Sequence, residues 1–171
     1  MSERPLWAPW RIEYITGPKA SDCIFCDAAL GKGEPARRVV DRGTRCLTML
    51  NAFPYAPGHL MVAPLRHVAA LDELEDDELL ELMQLTRRAN RALRRAMTPD
   101  GFNVGLNVGK VAGAGIADHL HMHVVPRWLG DTSFMPVLDD TRVIPQALDA
   151  SHDVIVKALR ELGDDPAAPR A

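Results

Sequence analysis

Residues 119–125 read HLHMHVV. His119, His121 and His123 alternate with Leu120, Met122 and Val124. On an extended strand successive side chains point to opposite faces, so this spacing predicts one apolar face and one imidazole face. The apolar face belongs on a core. The other face carries three groups of near-neutral pKa, which raise each other's cost of protonation and need many hydrogen-bond partners. The chain has six histidines, and half of them fall in these five positions. A purely structural role gains little from such a row. The chemistry open to it is metal binding, attack on an electrophile, or proton transfer.

The segments upstream give the strand its surroundings. Gly109 to Gly115, GKVAGAG, has small residues that let backbone N–H groups approach an anion. With Lys110 beside it the segment reads as a phosphate pocket around Gly113 and Gly115, the alternative for Lys110 being a solvated loop lysine. No G-K-[ST] follows, so this is not a P-loop. FNVGLNV from Phe102 alternates with period two and predicts a strand. Residues 72–97 carry Leu82, Leu85, Ala89, Ala92 and Ala96 at three- and four-residue spacing, which predicts one long amphipathic helix. Asp72 is the expected cap, with Glu75 three residues on. Arg87, Arg88, Arg91, Arg94 and Arg95 suit the helix C-terminal half and read as a solvated face rather than an RNA patch. CLTML from Cys46 and LMVAP from Leu60, joined by a Pro/Gly turn, predict a hairpin. Val154 to Leu162 predicts a short C-terminal helix.

Strands, a long helix and then more strands predict an α+β domain, an antiparallel sheet packed with one long helix and a short C-terminal helix. The expected division is an N-terminal arm over 1–19, a catalytic domain over 20–148, and a helix with a loose tail over 149–171. The arm carries Trp7, Trp10 and Tyr14. A chain of 171 residues, 47% hydrophobic, suits one core. Its 20 basic and 23 acidic residues give a formal net charge of -3, which disfavours bulk nucleic-acid or acidic-membrane binding. There is no apolar signal core and no run of 18 apolar residues, so no membrane partner is expected. Three cysteines are too few for a disulfide scaffold, and a cytoplasmic location is expected.

Cys23 and Cys26 form a C-x-x-C with zinc-ligand spacing. A redox pair is the other reading, but the βαβ setting that it favours is not evident here. Zinc needs two further ligands, and His67 and His119 are available, though spacing alone leaves open which histidines close the site. A structural, four-coordinate ion is expected.

CIFC, NAFPYAPGHLMVAPLRHV, GFNVGLNVG, HLHMHVV and PRW occur in the order in which the histidine triad (HIT) superfamily carries such elements, and over roughly 20–130 the chain resembles that superfamily. SFMPVLDDTRVIPQAL, 133–148, is similar to the tail of its diadenosine polyphosphate branch. The resemblance implies a HIT-like fold and a homodimer. It implies His121 as nucleophile on the α-phosphate of a nucleotide, through a covalent nucleotidyl-histidine released to water or inorganic phosphate. His123 would orient phosphate oxygens, His59 would hold phosphate and assist the leaving group, Asn51 would bind ribose, and Asn107 would touch phosphate. Zinc would rest on Cys23, Cys26, His67 and His119. Trp128 is expected near the site or the dimer seam. Asp118 stands alone, without a magnesium cage, so Mg2+ would arrive with the polyphosphate.

One departure matters. Gly115 stands where many hydrolases of the family have glutamine, which removes a side-chain contact and opens room for phosphate as acceptor. With the resemblance of 133–148 to the diadenosine polyphosphate branch, the expected activity is cleavage of diadenosine polyphosphates, diadenosine tetraphosphate foremost, with release to phosphate or to water. Competing readings are a nucleoside phosphoramidate or nucleotidyl-amino-acid hydrolase, a non-catalytic mononucleotide binder, and a nucleotidyltransferase acting on a sugar phosphate.

Overall fold

The β2–β3 hairpin, Cys46–Leu50 and Leu60–Pro64, is buried along its whole length, so both faces of its strands need cover. The computed structural model describes residues 23–131 and 146–163. The arm with its tryptophans, residues 133–145 of the tail-like segment, and the end of the chain lie outside the described residues.

The elements in order are α1 (Ile24–Ala29), α2 (Gly33–Arg37), β1 (Val39–Arg42), β2, β3, α3 (Asp76–Met97), β4 (Gly101–Leu106), β5 (Met122–Arg127) and α4 (Leu148–Leu162). The five strands form an antiparallel sheet in the order β1-β2-β3-β5-β4. The chain leaves β3, crosses through α3 to the edge strand β4, and returns in β5 between β4 and β3. That crossover brings the histidine segment alongside the ends of β3. The α+β expectation holds, with β1, α1 and α2 added. These pieces are only four to six residues long and show no readable period.

Period two sorts the strands onto two cores. Cys46, Leu50, Leu60, Val62, Leu120, Met122 and Val124 join Leu82, Leu85, Ala89 and Leu93 of α3 and Ile155, Ala158 and Leu159 of α4. Leu47, Met49, Met61 and Ala63 join Phe25 and Ala28 of α1 on the other face. Each fully buried leucine or isoleucine contributes about 2 kcal/mol relative to exposure. The sheet is thus a middle layer, with the long helices on one side and the cysteine-bearing α1 on the other.

Two helix starts differ from expectation. Residues Leu71–Glu73 form a separate 3-10 turn, and α3 begins at Asp76 with Glu75 as its cap. The Glu75 N–H donates to Glu78 Oε2 at 2.9 Å, and Arg66 grips the same carboxylate through Nε at 3.1 Å and Nη2 at 2.7 Å. That anchor, rather than Asp72, sets where the helix starts. At the other end Thr98 takes a left-handed turn, φ 46°, and its N–H reaches the Arg94 carbonyl at 3.2 Å. The second helix, α4, begins at Leu148, six residues before the predicted Val154, because its first turns are polar.

Glu81 of α3 ties the helix to the turn between β1 and β2. Its Oε1 accepts from Thr44 N at 3.0 Å and Thr44 Oγ1 at 2.9 Å. Its Oε2 accepts from Arg45 N at 2.5 Å and Cys46 N at 2.6 Å. The turn residue Gly43 has no side chain to spare, since a Cβ there would lie 2.6 Å from the Glu81 carboxyl carbon. Cys46, the third cysteine, is fully buried, and burial pushes its thiol up to about 12, so it is an inert core residue.

Candidate active site

Leu120, Met122 and Val124 enter the core beneath α3, so the histidines between them lie on the opposite face, with α1. His123 pairs with Met61 across β3 and with Gly105 across β4. His119 and His121 precede the ladder on the same extended segment, which is held by Leu120 N–H donating to the Val68 carbonyl at 2.7 Å. His59 closes the β2–β3 turn immediately before β3. The rings of His121 and His123 lie 4.8 Å apart, and those of His59 and His123 5.1 Å apart.

The hydrogen bonds run in one direction. The Tyr55 backbone N–H donates to His59 Nδ1 at 3.1 Å, and Asn51 Nδ2 approaches the same atom at 3.3 Å. Nδ1 of His59 is therefore the acceptor, and in a neutral imidazole the proton sits on Nε2. That Nε2–H donates to His123 Nδ1 at 2.9 Å. By the same rule His123 carries its proton on Nε2. In His121, Nδ1–H donates to the His119 carbonyl at 2.8 Å, which leaves the Nε2 lone pair available. One face of the sheet thus presents a bare imidazole nitrogen, that of His121, beside an imidazole N–H, that of His123.

Neutrality of the rings follows from their burial. Desolvation is the largest cause lowering His59 to about 3, followed by the neighbouring His123 and His121. Burial, then His121, lowers His123 to about 4. His121 is also lowered, chiefly by burial, against the opposing hydrogen bond to His119. All three are uncharged at neutral pH, as a nucleophile and a directed donor pair require.

A second cluster adjoins the first. Cys23, Cys26, His67 and His119 bring one ligand atom each within 4.8 Å of one another. Cys23 Sγ lies 3.1 Å from His119 Nδ1, Cys26 Sγ 3.3 Å from His67 Nδ1, and Cys26 Sγ 3.7 Å from His119 Nδ1. A tetrahedron with zinc-length bonds has edges of roughly 3.4–3.8 Å, so the donor set fits a four-coordinate ion of that kind. His119 Nε2–H donates to the Pro64 carbonyl at 2.9 Å, which turns Nδ1 toward the sulfurs. Phe25, between the two cysteines in sequence, packs its ring 5.0 Å from His119 and 4.8 Å from His121.

Of the remaining sequence candidates, Asn51 sits in the site, its Oδ1 accepting from Phe53 N at 2.9 Å. Asn107 follows the last ladder pair, Leu106↔Met122, and one further step in that register sets it opposite His121. Lys110 lies in the exposed 3-10 turn Lys110–Ala112, and its side chain makes no hydrogen bond or ion pair among the described residues. Gly113 caps that turn at φ 87°, and Gly115 has open space where a Cβ would be. Trp128 is not gathered with the histidines of its own chain. It lies five residues beyond His123, about 17 Å along the strand, and its Nε1–H donates to the Met97 carbonyl at 3.3 Å. Tyr55 and Phe25 are the neighbours that sequence reasoning missed. Their only signal was position, inside the Asn51–His59 turn and inside C-I-F-C.

Residues 32–128 match the sequence model of a family described as the HIT domain. The chain belongs to the HIT family. This HIT chain is 42% identical over 154 residues to the AP-4-A phosphorylase of Mycobacterium tuberculosis, which covers 84% of the chain and 77% of the relative. It is 33% identical over 113 residues to a HIT-like protein of Saccharolobus solfataricus, covering 66% of the chain and 79% of the relative. Among solved structures, a zinc-bound histidine triad family protein from Mycobacterium smegmatis superposes with a TM-score of 0.68 at 27% identity, over 82% of this chain and 95% of that one. No helix among the described residues is long and apolar enough to cross a membrane.

Proposed function

We propose that the chain cleaves dinucleoside polyphosphates, with diadenosine tetraphosphate as substrate and inorganic phosphate as acceptor. The observation that carries this reading is the direction of the hydrogen bonds, which leaves the Nε2 lone pair of His121 beside the Nε2–H of His123. The similarity to a mycobacterial AP-4-A phosphorylase supports the substrate and the acceptor.

In the first step the His121 lone pair forms an N–P bond to the α-phosphorus. The bond from that phosphorus to the bridging oxygen breaks, and its electron pair leaves with ATP. His123 donates its Nε2–H to the departing oxygen, and His59 keeps His123 in the tautomer able to do so. In the second step a phosphate oxygen attacks the adenylyl-histidine, the N–P bond breaks, and its pair returns to Nε2. ADP leaves, the proton of the attacking hydrogen phosphate returns to His123 Nε2, and the proton that ATP took from His123 passes to solvent. Asn51 and Asn107 would hold ribose and phosphate oxygens. Backbone N–H groups around Gly113, with Lys110, would offset charge on the phosphate chain. The space beside Gly115 would admit the acceptor phosphate.

Zinc would be held by Cys23, Cys26, His67 and His119, and bound there it supplies a cross-link rather than a reactive centre. Any magnesium would come with the polyphosphate substrate.

The test is incubation with diadenosine tetraphosphate, with and without phosphate, and separation of the products by ion exchange. ADP plus ATP formed only with phosphate is the expected result. AMP plus ATP regardless of phosphate would make water the acceptor, and no cleavage in either arm would overturn the reading.

A further inference from the structure

We propose that Tyr55 is a positioning residue for His123: its ring shields the His59–His123 hydrogen bond and holds both imidazoles in the one arrangement that turns the His123 Nε2–H toward the leaving group. The reaction it serves is the cleavage proposed above, on which this assignment rests.

Three contacts converge on Tyr55. Its backbone N–H reaches His59 Nδ1 at 3.1 Å and so sets the tautomer at the start of the chain of hydrogen bonds. Its ring lies 4.7 Å from the His59 ring at an interplanar angle of 32°. The same ring lies 5.9 Å from His123, again at 32°. One aromatic plane therefore spans both partners of the 2.9 Å bond between His59 Nε2 and His123 Nδ1.

The contrast in burial indicates what the ring is for. His59 is 0% exposed, whereas Tyr55 is 48% exposed. A residue half in water contributes modestly to a core, but its inner face excludes water from the imidazole pair. Water admitted there would compete for His59 Nε2–H and His123 Nδ1, letting His123 rotate or move its proton to Nδ1. Either change removes the donor from the departing oxygen, and small misplacements of a reacting group are costly. Burial and neighbouring imidazoles account for the lowered pKa of both rings. A planar cover that keeps solvent out preserves that state, and phenylalanine supplies the same plane where leucine does not.

The test uses the full chain as wild type, Tyr55→Leu and Tyr55→Phe. Histidine ring tautomers are read from 15N–1H NMR without nucleotide, and kcat and KM are measured on diadenosine tetraphosphate. In wild type and Tyr55→Phe, His59 and His123 are expected as single Nε2–H tautomers. In Tyr55→Leu the backbone N–H still holds the His59 tautomer, whereas His123 should lose its single Nε2–H signature, with kcat falling roughly tenfold and KM moving less than about twofold. Wild-type imidazole signals in Tyr55→Leu would overturn the assignment. So would a Tyr55→Phe chain that behaves like Tyr55→Leu, or a Tyr55→Leu chain that fails to fold. If the tautomers respond as stated but wild type cleaves no dinucleotide, the Tyr55 assignment is upheld and the cleavage reading falls.

Discussion

Replacing Glu81 with glutamine should cost about 2 kcal/mol of stability, although the two side chains have nearly the same shape. The carboxylate accepts four hydrogen bonds, two on each oxygen. An amide offers one accepting oxygen and one NH2. Whichever way it is turned, the NH2 faces a backbone N–H. In the better orientation the oxygen keeps Arg45 and Cys46, and the NH2 meets Thr44, whose hydroxyl can accept but whose N–H cannot. The loss is one bond plus the charge assistance of the others. Bonds to charged groups contribute about 1.5–3 kcal/mol against about 1 for neutral ones. Water reaches Thr44 and Arg45 and offsets part of that loss. Glu81→Ala should cost about 3 kcal/mol, because the part-buried Cys46 N–H is then left without its acceptor. For a chain of this size these losses correspond to roughly 4–12 °C in melting temperature.

Urea titration followed by circular dichroism, at neutral and acid pH, is the assay. Burial is the largest single influence on Glu81 and raises its pKa, but the bonds from Thr44, Arg45 and Cys46 together outweigh it, and the net shift is downward. A carboxylate held below its unfolded value stabilises the fold above the ordinary Glu pKa of about 4.3, and that stabilisation is lost as pH falls through the folded value. The gap between wild type and Glu81→Gln should therefore be widest at neutral pH and close in acid. Gly43→Ala, which pushes a methyl group into the same carboxylate, should destabilise as well and should not add fully to Glu81→Gln. A gap under about 0.5 kcal/mol at neutral pH, or one indifferent to acid, would refute this reading of the anchor.

Cys26→Ser should abolish retained zinc, read by elemental analysis, and lower the melting temperature, since a serine hydroxyl is a poor zinc ligand; wild-type zinc content in the variant would remove Cys26 from the site. His59→Asn should lower kcat by about a hundredfold with little change in KM, measured on diadenosine tetraphosphate, because His123 loses the donor that orients it. With His123 lowered to about 4, His59 to about 3 and His121 lowered as well, the neutral forms persist below the ordinary histidine range, so the acid limb of kcat/KM should lie below that range and follow loss of the neutral His121 nucleophile as well as protonation of His123. An acid limb centred at an ordinary histidine pKa would contradict the burial of the pair. Gly115→Gln fits the open space at that position and should raise AMP relative to ADP among the products, and an unchanged ratio would separate Gly115 from acceptor choice.

The elements visible in the sequence were those whose burial follows a simple period. CLTML and LMVAP are strands at the predicted positions, and α3 keeps its predicted apolar stripe and its predicted end. The start of α3 is not legible locally, because Asp72 resembles a cap, whereas Arg66, twelve residues before Glu78, fixes that carboxylate and with it the first turn. The short α1 and β1 were invisible because so few residues show no period. In the site, His119, His121 and His123 announced themselves by spacing. Tyr55 did not, since a turn residue's neighbours are set by how the hairpin closes. Trp128 illustrates the reverse case: it is adjacent to the triad in sequence, yet five residues of extended chain carry it to the far end of the strand.

His119 faces two ways. Its ring turns toward the cysteines, while its carbonyl accepts the hydrogen bond of His121 Nδ1–H. Side-chain replacement can remove the first connection but not the second, because every amino acid brings a carbonyl. What replacement changes is the aim of that carbonyl, since the ring is one of the ties that hold the peptide plane. If zinc is held there and His121 is the nucleophile, as proposed, loss of the ion should appear as an error of aim: a folded chain in which His121 spends part of its time with the wrong nitrogen bare. The four ligands would act on catalysis as a protractor acts on a drawing, setting an angle without touching the line.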